Sequence, residues 1–239
     1  MSVYITGDIH GQIDRIYDFC LLGHNLSHKD IMIIVGDVGL NFWLNSTEKN
    51  KKATLAKLPI TIICIQGNHE KRPEAGLLNY EQIHIDNSLL KGDYWIEPEY
   101  PNILFAINGE HNIYGKSFLI ADGAYSIDKF YRQSQGIPWF EDEQMSDEDI
   151  NKLFTICEKQ KYFDFVISHA APMNYEPTYL FLPFVEQTLV DKHTEWILQE
   201  IVNKIQFGHW IFGHYHADNW EYRTKPRFSI IYKEIKRII

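Results

Sequence analysis

Cysteine is scarce in this chain of 239 residues: only Cys20, Cys64 and Cys157. The count is odd and no two lie close together, so a disulfide framework is excluded and buried, reduced thiols are expected. No run reaches the roughly 18 apolar residues needed to span a bilayer. No charged segment followed by a long apolar one opens the chain, so a cytoplasmic protein without membrane contact is expected. Repeats, low-complexity tracts and Pro/Ser-rich linkers are also missing, which points to one domain over residues 1–239. Lysine and arginine are in deficit, 23 against 32 acidic residues, a net charge of −9. That shortage weighs against extended nucleic acids and anionic lipid surfaces, each of which needs a positive face. A small anionic substrate held by a local cationic site remains compatible. Apolar residues, at 45%, are plentiful enough for a core that needs no metal merely to fold.

What is present alternates. Val3 to Thr6, Ile31 to Val35 and Ile60 to Ile65 read as buried strands, the last rich in β-branched residues. Between them Ile13, Ile16, Tyr17, Cys20 and Leu21 fall on one helix face, and Asn45-Ser46 predicts the start of a polar helix running to about Lys57. Strands joined by helices at this spacing imply parallel pairing. In the middle, Ile103 to Ile107, His111 to Tyr114 and Ser117 to Ala121 are separated by Asn108-Gly109 and Gly115-Lys116, which predict antiparallel hairpins. Ser146-x-x-Asp149 predicts a capping box before a helix carrying Ile150, Leu153, Phe154 and Cys157. Strands follow at Phe163 to Ile167, Trp210 to Phe212 and Phe228 to Tyr232, with a helix face at Leu189, Val190, His193, Trp196, Ile197 and Ile201. The expectation is an α/β domain in which two mixed sheets pack face to face with helices outside.

The chemistry sits just after the strands. These segments read Gly7-Asp8-Ile9-His10-Gly11, Gly36-Asp37, Gly67-Asn68-His69-Glu70, Ser168-His169 and Gly213-His214-Tyr215-His216. In an open α/β sheet the carboxyl ends of parallel strands form one edge, where ligands bind. Asp, Asn and His together suit a divalent transition metal bound through nitrogen and oxygen. Asp8, His10, Asp37, Asn68, His169, His214 and His216 are the candidates, enough for two metals if one carboxylate bridges. Scattered caps and turn residues would not place all five clusters at strand ends, nor collect five of the 11 histidines there. The others (His24, His28, His84, His111, His193, His209) carry no motif, and His193 is expected to be a core histidine.

In order and spacing these motifs resemble the calcineurin-like metallophosphoesterases, whose signature is D-x-H, G-D, G-N-H-[ED], H and G-H-x-H. The likeness runs from residue 8 to residue 216, essentially the whole chain. The opening Gly-Asp-Ile-His-Gly-Gln also resembles the serine/threonine phosphoprotein phosphatases. The resemblance implies a four-layer α/β/β/α sandwich with two mixed sheets, and two divalent metal ions, with Mn²⁺ or Fe favoured and Zn²⁺ possible. It implies Asp8, His10 and His216 at the first metal, Asn68, His169 and His214 at the second, and Asp37 between them. His69 would face the substrate.

The implied activity is hydrolysis of a phosphate ester, mono- or diester. Two metals about 3.5–4 Å apart neutralise phosphate oxygens and lower the pKa of a bridging water. The resulting hydroxide attacks phosphorus in line, and His69 protonates the leaving group. The chain departs from the phosphoprotein phosphatases after Asp37, where Val38-Gly39-Leu40-Asn41 replaces their Asp-Arg-Gly. Asn41 or Glu70 is left to orient His69, and Arg72 or Arg132 to bind phosphate. Residues 123–147 resemble a stretch of small bacterial and phage members of the superfamily and are a candidate lid, with Lys129 adding charge and Trp139 stacking a base or sugar. The substrate expected is small, phosphorylated or nucleotide-like. A phosphoprotein phosphatase is the first alternative. A non-catalytic scaffold is the second, set back by the presence of every ligand position and of His69.

Overall fold

The parallel strands are buried along almost their whole length, and they build the layers. The computed structural model describes residues 1–22 and 25–239, so His24 lies outside the described residues. β1 (Val3–Thr6), α1 (Asp14–Leu21), β2 (Ile31–Val35), α2 (Ser46–Leu55) and β3 (Thr61–Ile65) follow in order. The three strands pair in parallel, as crossover helices require. Asn45 caps α2 by accepting from the Glu48 N–H. Next come β4 (Glu81–Asp86), β5 (Leu90–Ile96), β6 (Ile103–Ala106), β7 (Gly109–Ile113) and β8 (Lys116–Ala121). The chain continues through α3 (Lys129–Gln135), α4 (Asp147–Lys159), β9 (Tyr162–Ser168), α5 (His193–Lys204) and β10 (Gln206–Phe212). It ends in β11 (Asn219–Thr224), β12 (Arg227–Ile230) and β13 (Lys236–Arg237). Strands β8, β9, β10 and β12 are mutually parallel neighbours. The capping box of Ser146 and Asp149 opens α4.

Period-two alternation divides the core. Ile31, Ile33 and Val35 of β2 share one cluster with Ile120, Ile167 and Ile211 of the distant strands. Met32 and Ile34, on the other face, pack with Ile16 of α1 and Leu55 of α2. Leu119, Val166 and Trp210 pack instead with Leu153 and Cys157 of α4 and Leu198 of α5. Each fully buried aliphatic side chain contributes about 1.5–3 kcal/mol. Two sheet halves thus face each other across a shared core, each with helices behind it.

The halves are not separate sheets as expected. One 13-stranded sheet runs β11-β12-β10-β9-β8-β7-β5-β6-β3-β2-β1-β13, with β4 on the far side of β5. The cause lies at Asn108-Gly109, which does not turn a hairpin. Strands β6 and β7 both pair along the same edge of β5, Leu104 to Ala106 against Ile96 to Tyr94 and Asn112-Ile113 against Lys91-Leu90. The chain therefore bends there and continues, so β6 joins β3 while β7 joins β8. Asn108 fixes the bend by exchanging hydrogen bonds with Asp122 at 2.8 and 2.9 Å. The expected hairpin between β7 and β8 is present.

Two strands left no apolar signal. In β4 four of the six side chains are exposed, and β11 is mostly polar. The phase of α5 also differs from the apolar spacing. Its buried residues are Thr194, Glu195, Leu198, Gln199 and Ile201, while Trp196 is exposed and so is His193. His193 is therefore not a core histidine. The polar side chains took the inner face because partners wait there: Thr194 donates to Gln144, and Gln199 accepts from the Asn174 N–H. Cys64 and Cys157 are buried and Cys20 half-buried, all three unpaired. Burial pushes the Cys20 and Cys157 thiols up to about 11, so they stay protonated.

Candidate functional site

Tight turns after the strands aim the polar clusters. His10, Asp37, His214 and His216 all take positive φ, between 44° and 66°. For residues with a Cβ this conformation costs about 1–3 kcal/mol each and recurs at functional sites. Gly36 allows the closest approach. A Cβ there would sit 1.9 Å from His169 Nδ1, so no other residue fits.

The turns bring together groups distant in sequence. Ligand atoms of Asp8, His10, Asp37 and His216 lie within 4.8 Å of one another. His10 Nε2 is 2.9 Å from His216 Nε2 and 3.9 Å from Asp37 Oδ2. On the other side of Asp37, His169 Nε2 is 3.4 Å from its Oδ1 and 3.1 Å from Asn68 Oδ1. His214 stands edge-on to His169 with ring centroids 5.0 Å apart, and its N–H donates to Asp8 Oδ1.

The cluster has the electrostatics of a cation site. His169 donates from Nδ1 to the Val35 carbonyl at 2.9 Å, turning Nε2 toward the oxygens of Asn68 and Asp37. Burial opposes charge on His169, yet Asp37 pushes its pKa up to about 10. Asp37 itself is held well below the usual range: burial raises it, but His169 more than offsets this. Asp8 Oδ2 is buried and, among the described residues, faces His216 Nε2 at 3.3 Å without a hydrogen bond of good geometry. Oxygens and ring nitrogens thus converge where the field calls for positive charge, and this donor set fits divalent metal ions.

His69 borders the cluster. Its N–H donates to Asp37 Oδ1 at 2.8 Å. Its ring stacks on Phe42, with centroids 5.9 Å apart, and meets His10 edge-on. Among the described residues its ring nitrogens have no hydrogen-bond partner. The two residues expected to orient it are engaged elsewhere. Asn41 exchanges hydrogen bonds with the Tyr80 hydroxyl. Glu70 accepts from the Gly67 and Val38 N–H groups.

Arg72 and Arg132 lie behind the site. Arg72 is buried and holds Asp122 with two bonds of 3.1 Å, while also donating to the Asp142 carbonyl. Arg132 is buried among Asp128, Ser126 and Glu143. Ser126 in turn accepts from Asn68 Nδ2 at 2.8 Å, which aims Asn68 Oδ1 at the cluster. Most of segment 123–147 is thereby tied to the back of the site, and only Tyr125, Ile127 and Asp128 face the larger cleft. Trp139 donates to Glu143 and lies under Lys129 Nζ at 4.0 Å.

Two clefts flank His69. The smaller, about 180 Å³, is lined by His10, Gly39, Phe42, Trp43, Glu48, Lys51 and His69. Glu48 spends its carboxylate on the N–H groups of Phe42, Trp43 and Leu44 at 2.7–3.0 Å. Lys51 has no carboxylate partner among the described residues, and its Nζ lies 2.7 Å from where a Cβ on Gly11 would sit. Sequence reading missed Lys51 because nothing marks one lysine in a polar helix. The larger cleft, about 380 Å³, opens beside Asn68 and His214 and is walled by residues 176–195. That wall has short 3-10 turns and no strand, so periodicity could not reveal it.

No helix among the described residues is long and apolar enough to cross a membrane. No curated protein matches the chain. Among solved structures, the phosphopantetheinyl hydrolase of Mycobacterium tuberculosis is 13% identical, with a TM-score of 0.48 covering 100% of this chain and 95% of that one. A proposed 5′-nucleotidase from Staphylococcus aureus, in complex with alpha-ketoglutarate, is 13% identical with a TM-score of 0.47. That match covers 99% of this chain and 50% of the other. The sequence model of the calcineurin-like phosphoesterases matches residues 1–218. With its Asp, Asn and His turns drawn into one cluster, the chain belongs to that family, the calcineurin-like phosphoesterases.

Proposed function

We propose that this phosphoesterase is a dimetal hydrolase whose ligands are Asp8, His10 and His216 on one side, Asn68, His169 and His214 on the other, and Asp37 between. The observation that carries the reading is the position of Asp37. Its Oδ2 faces His10, while its Oδ1 faces His169. Mn²⁺ or Fe is the favoured pair. When bound, such ions supply positive charge to phosphate oxygens and lower the pKa of water.

The remaining roles fall to this chain's own side chains. His69 donates a proton to the leaving oxygen, its ring held against Phe42. Burial lowers the His69 pKa, and an arriving anionic ester acts in the opposite sense, favouring the proton when substrate is present. Lys51, unpaired in the smaller cleft, takes the place of the missing phosphate-gripping arginine. Arg72 and Arg132 hold the scaffold behind Asn68. The substrate is a small phosphorylated molecule.

Initial rates on p-nitrophenyl phosphate and bis-p-nitrophenyl phosphate with Mn²⁺, beside a metal assay of the purified protein, test this. The expected result is metal-dependent turnover of at least one ester, with its KM raised in Lys51→Ala. Metal-free protein turning over as fast as the loaded form would overturn it.

A further inference from the structure

The larger cleft has a composition that the hydrolysis of phosphate does not require. Its wall carries Phe181, Leu182 and Val190, all apolar. Its charged groups are Lys192 and the carboxylates of Asp37, Asp128, Glu176 and Glu195, and no arginine lines it. Lys192 is already committed. Its Nζ is 2.6 Å from Glu176 and 4.0 Å from Glu195, and it lies 4.8 Å from the Phe181 ring centroid. Glu176 also accepts from the Tyr215 hydroxyl. Glu195 is 3% exposed, and its Oε2 has no hydrogen-bond partner among the described residues. One lysine among these four carboxylates leaves the cleft short of positive charge and with an unspent acceptor.

We propose that this cleft is the leaving-group subsite, and that it selects an aromatic or similarly apolar alcohol bearing an amine or other hydrogen-bond donor. The inference rests on the phosphoesterase reading above. The apolar wall removes the organic group from water, which is favourable in proportion to the apolar area covered. A donor on that group satisfies Glu195 Oε2, which otherwise stays buried and unpartnered. A second phosphate or a carboxylate would meet Glu176 and Glu195 with no free cation to offset them, so polyanionic esters are rejected. Glu195 is a specificity residue here. It plays no part in cleaving the ester.

Three esters of one shape separate these effects: the phosphates of 4-(aminomethyl)phenol, 4-methylphenol and 4-hydroxybenzoate, assayed at pH 8.5. In the unaltered protein kcat/KM should be highest for the amine and lowest for the carboxylate. Glu195→Gln should shrink the amine-to-carboxylate ratio on the order of tenfold. Comparing ratios cancels differences in leaving-group reactivity, which are the same for both proteins. Phe181→Ala should lower kcat/KM for all three and leave the ratio unchanged. An unchanged ratio in Glu195→Gln overturns the proposal. Ligand-observed NMR with the free amine and free carboxylate needs no turnover: the amine should bind, and equal or reversed binding also overturns it. Amine binding without hydrolysis of any ester would retain the subsite and sink the phosphoesterase reading instead.

Discussion

The two sides of the ligand cluster are held in different ways. On one side His169 is fully buried, tied to the Val35 carbonyl, and packed against Gly36 where no Cβ would fit. Its neighbour Asn68 is aimed by Ser126, which Glu143 and Arg132 hold in turn. On the other side the His216 side chain is 51% exposed and stacks on Tyr232, and His10 is 28% exposed. One half of the site is an extension of the core, and the other is an open rim. The same residue type therefore carries fold and chemistry at one position and chemistry alone at another.

Paired substitutions sharpen that contrast. His169→Ala and His216→Ala should each abolish metal-dependent turnover, and only the first should unfold easily. Removing His169 leaves Asp37 buried without its charge partner, a loss of about 3–5 kcal/mol. His216→Ala, half exposed on the rim although it faces Asp8 Oδ2, should cost less than half as much. Urea denaturation of both metal-free proteins measures this, and equal losses would break the comparison.

His69 is built into neither side. His69→Ala should lower kcat by about 10²–10⁴-fold while the metal content, read by mass spectrometry, stays that of the unaltered protein. Metal loss in this variant would make His69 a ligand.

Arg72 belongs with the buried side although sequence placed it in the site. Arg72→Met strands Asp122 and should cost about 3–5 kcal/mol, with KM for any phosphoester unchanged in the folded fraction. A raised KM would return Arg72 to the substrate.

The contrast of buried and exposed histidine also extends beyond the site. His111 is buried at the bend near Gly92, with Nε2 bonded to the Ile107 carbonyl, while His84 is exposed and paired with Asp93. Burial pushes the His111 pKa down to about 4, against an ordinary value of 6.5. Between those values the unfolded chain takes up a proton that the folded protein refuses. Stability contributed here is present above pH 6.5 and lost as pH falls toward 4. The penalty is about 2 kcal/mol at pH 5. His111→Gln should reduce the drop in urea midpoint between pH 7.5 and pH 5, and an unchanged drop would break the comparison.

How much of this was legible in the sequence follows from the range of each signal. Asp8, His10, Asp37, Asn68 and His69 announce themselves because turn glycines and metal-binding side chains occur together within a few residues. The parallel strands were legible from β-branched runs that must be buried on both faces. The bend at Asn108-Gly109 was not, because the same dipeptide serves a hairpin, and only Asp122 and the far edge of β5 decide between them. Arg72 read as a phosphate ligand because it follows the motif by two residues, but its carboxylate partner lies 50 residues away. Lys51, Glu195 and Phe181 gave no local signal, since their meaning comes from what stands opposite them in the fold.

The seven proposed ligand positions are drawn from both halves of the curled sheet, residues 8–68 on one side and residues 169–216 on the other. An ion shared between them would fasten the two ends of the chain to each other. Its binding free energy would count toward folding, by an amount that grows with the logarithm of free ion over Kd. Scarcity of the ion would then be felt first as a shortage of folded protein, and only afterwards as a slower reaction.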